Sequence, residues 1–339
     1  MQMMPENMNS RPELSIIVPM HNEEDACGLF FEKIFEILPK VTDDYEIVCI
    51  NDGSTDATLA ALKVFHAQNP RIRIINFSRN FCKEAALTAG LDLAAGRAVI
   101  PIDVDLQDPP ELIIEMMEKL RDGARVVLAR RVDRTSDSFL KRATSTWFYD
   151  IFGAMAKPSI PKNVGDFRLM DRAVVEAIKQ LPERTRFMKG VFAWVGFDAV
   201  TIDYTRPERM AGSTKFNFIK LWNFALEGIF SFTSVPLKIW SYFGVFLSMA
   251  SVFFMFYLIL KTLITGVDVP GYASIMTMIL FFNGIILLSL GALGEYVGRI
   301  FIEVKQRPQY IVDELVGFQA DDIRARAPQV SRTVLEYTQ

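Results

Sequence analysis

The sequence predicts an α/β fold: an open, mostly parallel sheet with helices on both faces, followed by an apolar, membrane-directed segment. Three observations predict it. Short apolar runs alternate with helix-length stretches between 14 and 130, and acidic residues follow three of those runs. The 339-residue chain is half hydrophobic, and the excess concentrates between Trp240 and Leu293.

Met1 to Ser10 is polar and has no apolar core, so 1–13 reads as a flexible N-terminus and no signal peptide is expected. The runs Leu14–Pro19, Tyr45–Ile50, Ile72–Phe77, Ala98–Ile102 and Arg125–Ala129 read as strands. They are near-continuous apolar segments, as strands buried on both faces require. Between them lie helix-length stretches at 23–38, 55–67, 83–94 and 109–121. Such alternation builds a parallel sheet covered on both sides. Asp56 is suited to cap the helix after Thr55.

From Lys238 to Lys261 no charged residue intervenes. About 22 residues of helix span roughly 33 Å, enough for the hydrocarbon core of a bilayer. A second charge-free run lies between Asp268 and Glu295. Transmembrane helices are therefore expected at 238–261 and 269–294. Lys215, Lys220 and Lys238 precede the pair, and Arg299, Lys305 and Arg307 follow it. The positive-inside rule then places both termini on the cytoplasmic side of a multi-pass inner-membrane protein. Residues 215–235 read as an interfacial amphipathic helix. Periodicity alone does not separate that from an ordinary core helix. Residues 295–339 are expected to form a cytoplasmic tail.

Net charge is −3 and gives no sign of nucleic-acid binding. Seven Lys or Arg stand against three Asp from Arg121 to Arg142. That run is either a solvated face or a basic patch for anionic lipid or phosphate. Cys27, Cys49 and Cys82 have unrelated spacings, which fit neither a disulfide framework nor a zinc site and suit a reducing compartment.

Ligands of open α/β sheets lie beyond the carboxyl ends of the strands. Here the first strand ends in His21-Asn22-Glu23, the second in Asn51-Asp52-Gly53-Ser54, and the fourth in Asp103-Val104-Asp105. No GxGxxG follows the first strand, and no GxxxxGK[ST] occurs, so no glycine loop cradles a phosphate. Asp103 and Asp105, with Gln107, alternate along extended backbone. Hard oxygen donors of this kind suit Mg²⁺ or Mn²⁺ shared with a diphosphate.

At these residues the chain resembles the family 2 glycosyltransferases of GT-A fold, in particular the branch that acts on polyisoprenyl phosphates. The pieces are Val18–Glu23, Asn51–Asp56, Ser78–Phe81 with Lys83-Glu84, Asp103–Glu111, Gly165–Met170, Arg206–Lys215 and Leu293–Arg299. Together they cover about 14–312. The resemblance implies a cytoplasmic catalytic domain over 14–214. It also implies that Pro19, Asn22, Glu23, Asp52, Ser54, Asn80, Lys83 and Asp103 hold a nucleotide sugar. Asp103, Asp105 and Gln107 would hold the metal, and Arg131, Arg142, Arg206, Arg209 and Lys215 an acceptor phosphate. Asp166, Asp105 and Arg168 are the implied catalytic residues. The family usually has Gly where this chain has Cys82, and a small change in the pocket lining is expected there.

The implied reaction is inverting transfer of one sugar to undecaprenyl phosphate, with UDP-glucose the favoured donor. N-acetylglucosamine, amino-arabinose and mannose remain open as sugars, as do a glycerolipid or ceramide acceptor and a membrane nucleotide-sugar sensor. The Gln-x-x-Arg-Trp motif of processive synthases is absent. A phosphate monoester has its second pKa near 6, so a strong base role for Asp166 is discounted. A symmetric homo-oligomer, such as a tetramer, is the expected assembly.

Overall fold

The computed structural model describes residues 11–132, 161, 163–184, 186–205 and 271–319, with isolated positions in 242–264 and residues 323 and 326. The strands are β1 (Leu14–Met20), β2 (Tyr45–Asn51), β3 (Ile72–Phe77), β4 (Ala98–Pro101), β5 (Val126–Arg131), β6 (Val164–Asp171), β7 (Ala199–Tyr204) and β8 (Val312–Val316). The helices are α1 (Glu24–Val41), α2 (Thr58–Gln68), α3 (Lys83–Leu93), α4 (Leu112–Arg121), α5 (Arg172–Lys179), α6 (Met188–Trp194) and α7 (Tyr272–Lys305). All eight strands form one sheet in the order β7-β5-β6-β4-β1-β2-β3-β8. The result is a mixed α/β sheet of GT-A-like type.

Strand alternation divides two cores. Leu14, Ile16 and Val18 of β1 face α1, α2 and α4, whereas Ile17 faces α3, α5 and α6. β2 repeats this, with Ile47 and Cys49 on one side and Val48 and Ile50 on the other. In α1 the buried residues Cys27, Phe30, Phe31, Ile34, Ile37 and Leu38 recur at helical spacing and make one apolar stripe. α3 is buried from Ala85 to Leu93 and rich in alanine, so it lies close against the sheet. Gly90 permits that approach, because a Cβ there would stand 2.3 Å from Ile17 Cγ2.

All five expected strands and four expected helices of the first 130 residues are present, with ends shifted by a few positions. Asp56 is the expected cap of α2, but the cap position is Ala57; Asp56, one residue earlier, accepts from Thr58 N–H through Oδ1 at 3.0 Å and from Glu24 N–H through Oδ2 at 3.2 Å. β6 runs antiparallel between β4 and β5. Its pairing of Asp171 with Ala98 puts the beginning of β6 beside the end of β4.

Downstream the boundaries differ from expectation. Helix α7 continues past 294 to Lys305, because the Glu295–Arg299 pair (2.9 Å, i,i+4) lets charge enter without breaking the helix. It ends where Gln306 turns left-handed at φ 51°, just before Pro308. Its 34 residues extend about 51 Å. Among the described residues one stretch, Phe281–Lys305, is long and apolar enough to cross a membrane. Described helical residues recur from Tyr242 to Ile264, around the first expected span. The interfacial helix expected at 215–235 lies outside the described residues.

The expected tail also contributes to the sheet. β8 adds antiparallel to β3, and the Tyr310 ring stacks on Phe77 with centroids 5.1 Å apart. Tyr310 Oη–H donates to Asp92 at 2.8 Å. Lys63 pairs with Glu314 at 2.7 Å. The charged end of α7 is fastened to the same domain. Arg184 N–H donates to Glu303 Oε1 at 2.9 Å, and the Arg184 guanidinium donates to Arg307 O at 2.6 Å.

Candidate active site

Three loops meet at one edge of the sheet. After β1, Asn22 adopts φ 55°, and its Oδ1 accepts from Thr55 N–H at 2.8 Å while its own N–H donates to Ser54 Oγ at 2.9 Å. The His21 ring bonds Asp52 O at 2.8 Å. Gly53 follows β2 at φ +60°, where a Cβ would lie 2.2 Å from the Arg79 carbonyl carbon. Only glycine lets the 78–82 loop come so near. The approach brings Phe81 N–H to Asp52 Oδ1 at 2.6 Å. Asp52 is only 3% exposed. Burial raises its pKa, and the Phe81 N–H works against that rise. Within the chain, Asp52 therefore organises this loop.

That loop delivers α3. Cys82 precedes it at φ 73°, ψ 161°, a backbone conformation suited to glycine. The position is set apart by its backbone as well as by its side chain. Asn80 Oδ1 accepts from Cys82 N–H at 3.0 Å and supports the turn.

Lys83, the first residue of α3, reaches two carboxylates. Its Nζ lies 2.7 Å from Asp103 Oδ1 and 2.9 Å from Asp166 Oδ2. Asp103 follows β4, and Asp166 stands near the start of β6, so antiparallel pairing brings them together. Desolvation would lower the Lys83 pKa, but the charges of Asp166 and Asp103 outweigh it and raise it. Burial likewise pushes Asp166 up, yet Lys83 and Lys189 hold it below the ordinary carboxylate value.

Asp105 Oδ1 accepts from Gln107 N–H at 3.2 Å. Gln107 is 3% exposed, and its Nε2 has no hydrogen-bond partner among the described residues. Glu23, between α1 and these acids, has its pKa raised by burial and by the charges of Asp105 and Asp103. This excess of negative charge and hard oxygen fits a divalent cation. Two carboxylates are too few to enclose one, and among the described residues no trio of His, Cys, Asp or Glu does so. A diphosphate would supply the missing oxygens. Asp103 and Asp105 are the side chains suited to the ion, with the Gln107 amide behind them.

Arg168 lies on the same face of β6 as Asp166 but turns inward. It is 6% exposed, donates to Gly165 O at 2.6 Å and sits 4.1 Å over the Phe192 ring. Burial lowers its pKa to about 10, with Asp166 opposing the fall. Its bond to Gly165 O braces the start of β6, where Asp166 stands.

The basic run divides. Arg121 donates to Glu13 at 2.9 Å and to Val41 O, and Arg130 makes a two-pronged pair with Asp203 at 2.6 and 2.8 Å. These two arginines hold elements together, while Arg134, Lys141 and Arg142 of the run lie outside the described residues. Arg131 ends β5 at the active edge, where its N–H donates to Asn163 O at 3.0 Å. Arg142, Arg206, Arg209 and Lys215 lie outside the described residues. Pro19 is half-buried at the end of β1, and Ser54 and Asn80 serve the loops just described.

Glu84 and Lys189 escaped assignment from the sequence. Glu84 Oε2 accepts from Met188 N–H at 3.1 Å. Burial and the nearby Asp166 charge push its pKa up to about 7. Its place beside Lys83 at a helix start was a usable signal; nothing local marked Lys189.

Residues 15–179 match the family Glycosyl transferase family 2. Over 307 residues the chain is 54% identical to the uncharacterized glycosyltransferase sll0501 of Synechocystis sp., covering 91% of this chain and 96% of that one. It is 50% identical over 300 residues to the SfII prophage-derived bactoprenol glucosyl transferase of Shigella flexneri, covering 88% and 97%. A solved mannosyltransferase, PcManGT from Pyrobaculum calidifontis in complex with GDP-Man and Mn2+, aligns at 21% identity over 59% of each chain, with a TM-score of 0.41. By its relatives, spanned nearly end to end, the chain belongs to glycosyl transferase family 2.

Proposed function

We propose that the chain transfers one sugar, favourably glucose from UDP-glucose, to a polyisoprenyl phosphate at the cytoplasmic face of a membrane. The carrying observation is the 50% identity to a bactoprenol glucosyl transferase across 97% of that protein. An acidic sheet edge with an apolar helix fastened to the same domain supports the reading. An acceptor with an isoprenoid tail stays in the bilayer, so the site must be held near headgroup depth. Helix α7, the expected first span and the expected interfacial helix would do this in a multi-pass arrangement. A homo-oligomer is the proposed assembly.

The acceptor phosphate oxygen attacks the anomeric carbon as the bond to the diphosphate breaks, and the electron pair leaves on the bridging oxygen. A single displacement inverts the anomeric configuration. A divalent ion, Mg²⁺ or Mn²⁺, would act as Lewis acid on the leaving diphosphate. Asp103 and Asp105 hold that end of the donor, and Lys83 adds positive charge between Asp103 and Asp166. Asp166, with its lowered pKa, is a weak proton acceptor. It orients Lys83 and a sugar hydroxyl, and it takes a proton only from a monoprotonated phosphate. Glu23, Asn22, Ser54 and Asn80 line the nucleotide side, while Arg131, Arg142, Arg206, Arg209 and Lys215 grip the acceptor.

The test is transfer of radiolabelled sugar into organic-extractable lipid, with undecaprenyl phosphate, Mn²⁺ or Mg²⁺ and each donor in turn. Metal-dependent label that disappears in Asp105→Ala is the expected result. Transfer to diacylglycerol instead, or no transfer from any donor, overturns the proposal.

A further inference from the structure

A polar relay crosses three neighbouring strands at the edge where the nucleotide loops meet. Asn51, the last residue of β2, is buried, and its amide nitrogen donates to Asn76 Oδ1 of β3 at 2.7 Å. Asn76, also buried, donates in turn to Asp313 Oδ2 of β8 at 3.2 Å. A carboxylate accepts and does not donate, so Asp313 fixes which way both amides face. Asn76 must point its nitrogen at Asp313 and its oxygen at Asn51, and Asn51 must then turn its nitrogen to Asn76. That leaves the buried Asn51 Oδ1 with no hydrogen-bond partner among the described residues. An unsatisfied buried acceptor is costly, so the carboxylate at the far end is what holds this orientation.

The sheet is irregular where Asp313 stands. One step along β3, from Asn76 to Phe77, matches two along β8, from Glu314 to Val312, so Asp313 is the extra residue of a bulge. Bulges re-aim a side chain that regular pairing would send elsewhere. Its neighbours fasten the same stretch of chain. Ser78 N–H donates to Ile311 O at 3.1 Å, and Tyr310 stacks on Phe77, whose ring meets Phe81 edge-on at 5.7 Å. Phe81 N–H is the donor that Asp52 accepts at 2.6 Å. Residues 310–313, just past the end of α7, therefore grip 76–81, and 76–81 grips Asn51 and Asp52.

We propose that Asp313 is a positioning residue for the donor nucleotide: from the bulge in β8 it sets Asn76 and Asn51, and with them the end of β2 where Asp52 stands. The inference rests on the proposed reaction for placing a nucleoside diphosphate at Asp52. It makes β8 part of the donor site. Because β8 follows α7, the strand that completes the site is delivered by the apolar helix.

The experiment uses the full chain in detergent and titration calorimetry of UDP and of GDP, each with Mn²⁺, with farnesyl phosphate as the acceptor probe. Losing one hydrogen bond from the relay is worth about fivefold in affinity. Asp313→Ala should weaken the nucleotide by that factor and leave farnesyl phosphate unchanged. Asp313→Asn should recover most of the loss, since its amide oxygen still accepts from Asn76. Asn51→Ala should weaken the nucleotide as well, and adding Asp313→Ala to it should cost little more, because both act through one relay. Glu314→Ala removes the Lys63 ion pair from the same strand and should leave nucleotide binding unchanged, which separates the relay from general loosening of β8. Unchanged nucleotide binding in Asp313→Ala, equal weakening of nucleotide and farnesyl phosphate, or an Asp313→Asn no better than Asp313→Ala overturns the proposal. So do additive losses in the double variant, an equal loss in Glu314→Ala, and a wild-type chain that binds neither nucleotide. Wild-type chain that binds nucleotide through the relay yet transfers no sugar would sink the proposed reaction and leave the Asp313 assignment standing.

Discussion

The Lys83 ammonium stands 2.9 Å from Asp166, joining the first turn of α3 to the beginning of β6 across 83 positions of sequence. The same nitrogen holds Asp103 at 2.7 Å. Two carboxylates that would repel one another are kept together by one cation, and the donor and acceptor halves of the proposed site meet there.

Replacing that cation should disable the site without unfolding the domain, because the Lys83 side chain is 43% exposed. Lys83→Met is expected to lower sugar transfer by about 100-fold, the usual cost of losing a group that stabilises developing charge. Steady-state transfer checks the rate. Near-unchanged thermal unfolding would show that the effect is local.

Asp166 is held below its ordinary pKa of 3.8, so it is ionised at both pH 6 and pH 8. A phosphate monoester with a pKa near 6 still carries a proton on about half its molecules at pH 6. Asp166→Asn should therefore keep a larger fraction of wild-type activity at pH 8 than at pH 6. Equal loss at both would return Asp166 to the role of obligatory base. The lowered pKa also has a stability consequence. Its contribution is present above the unfolded-state pKa and is lost as pH falls through the lower folded value. The Asn variant should lose part of the wild type's acid sensitivity below about pH 4.

Cys82 occupies φ 73°, ψ 161° without the freedom of glycine. Strain of this kind costs about 1–3 kcal/mol. Cys82→Gly should raise stability toward that range, less the greater entropy glycine gives the unfolded chain. Chemical denaturation in detergent measures it, and a destabilised variant would show that the thiol makes a compensating contact.

Tyr310 anchors β8 through its ring on Phe77 and its hydroxyl on Asp92. Tyr310→Ala should cost about 3–5 kcal/mol, as for other buried aromatics. It should also make the C-terminal segment the earliest site of proteolysis. Cleavage at unchanged rate would mean that β8 holds without its aromatic anchor.

By itself the sequence determined the first five strands, the first four helices, the acids at their carboxyl ends and the apolar segment. Those features are local: apolar runs of strand length, helical spacing and strand-end Asp or Glu can be read within a dozen residues. Its motifs also marked Asp166 and Lys83 as site residues, though not as partners. Only the tertiary structure decided that Lys83 bridges Asp103 and Asp166, since antiparallel insertion of β6 beside β4 sets that meeting. It likewise turned Arg168 inward and Arg121 and Arg130 to structural carboxylates, because a guanidinium's role depends on which acceptor folding brings within reach. β8 could not be read as part of the catalytic sheet, for its pairing with β3 closes a loop of more than 230 residues. The capping of α6 by Glu84 was hidden for the same reason: its donor and acceptor are distant in sequence and meet only once α3 and α6 pack on one face of the sheet.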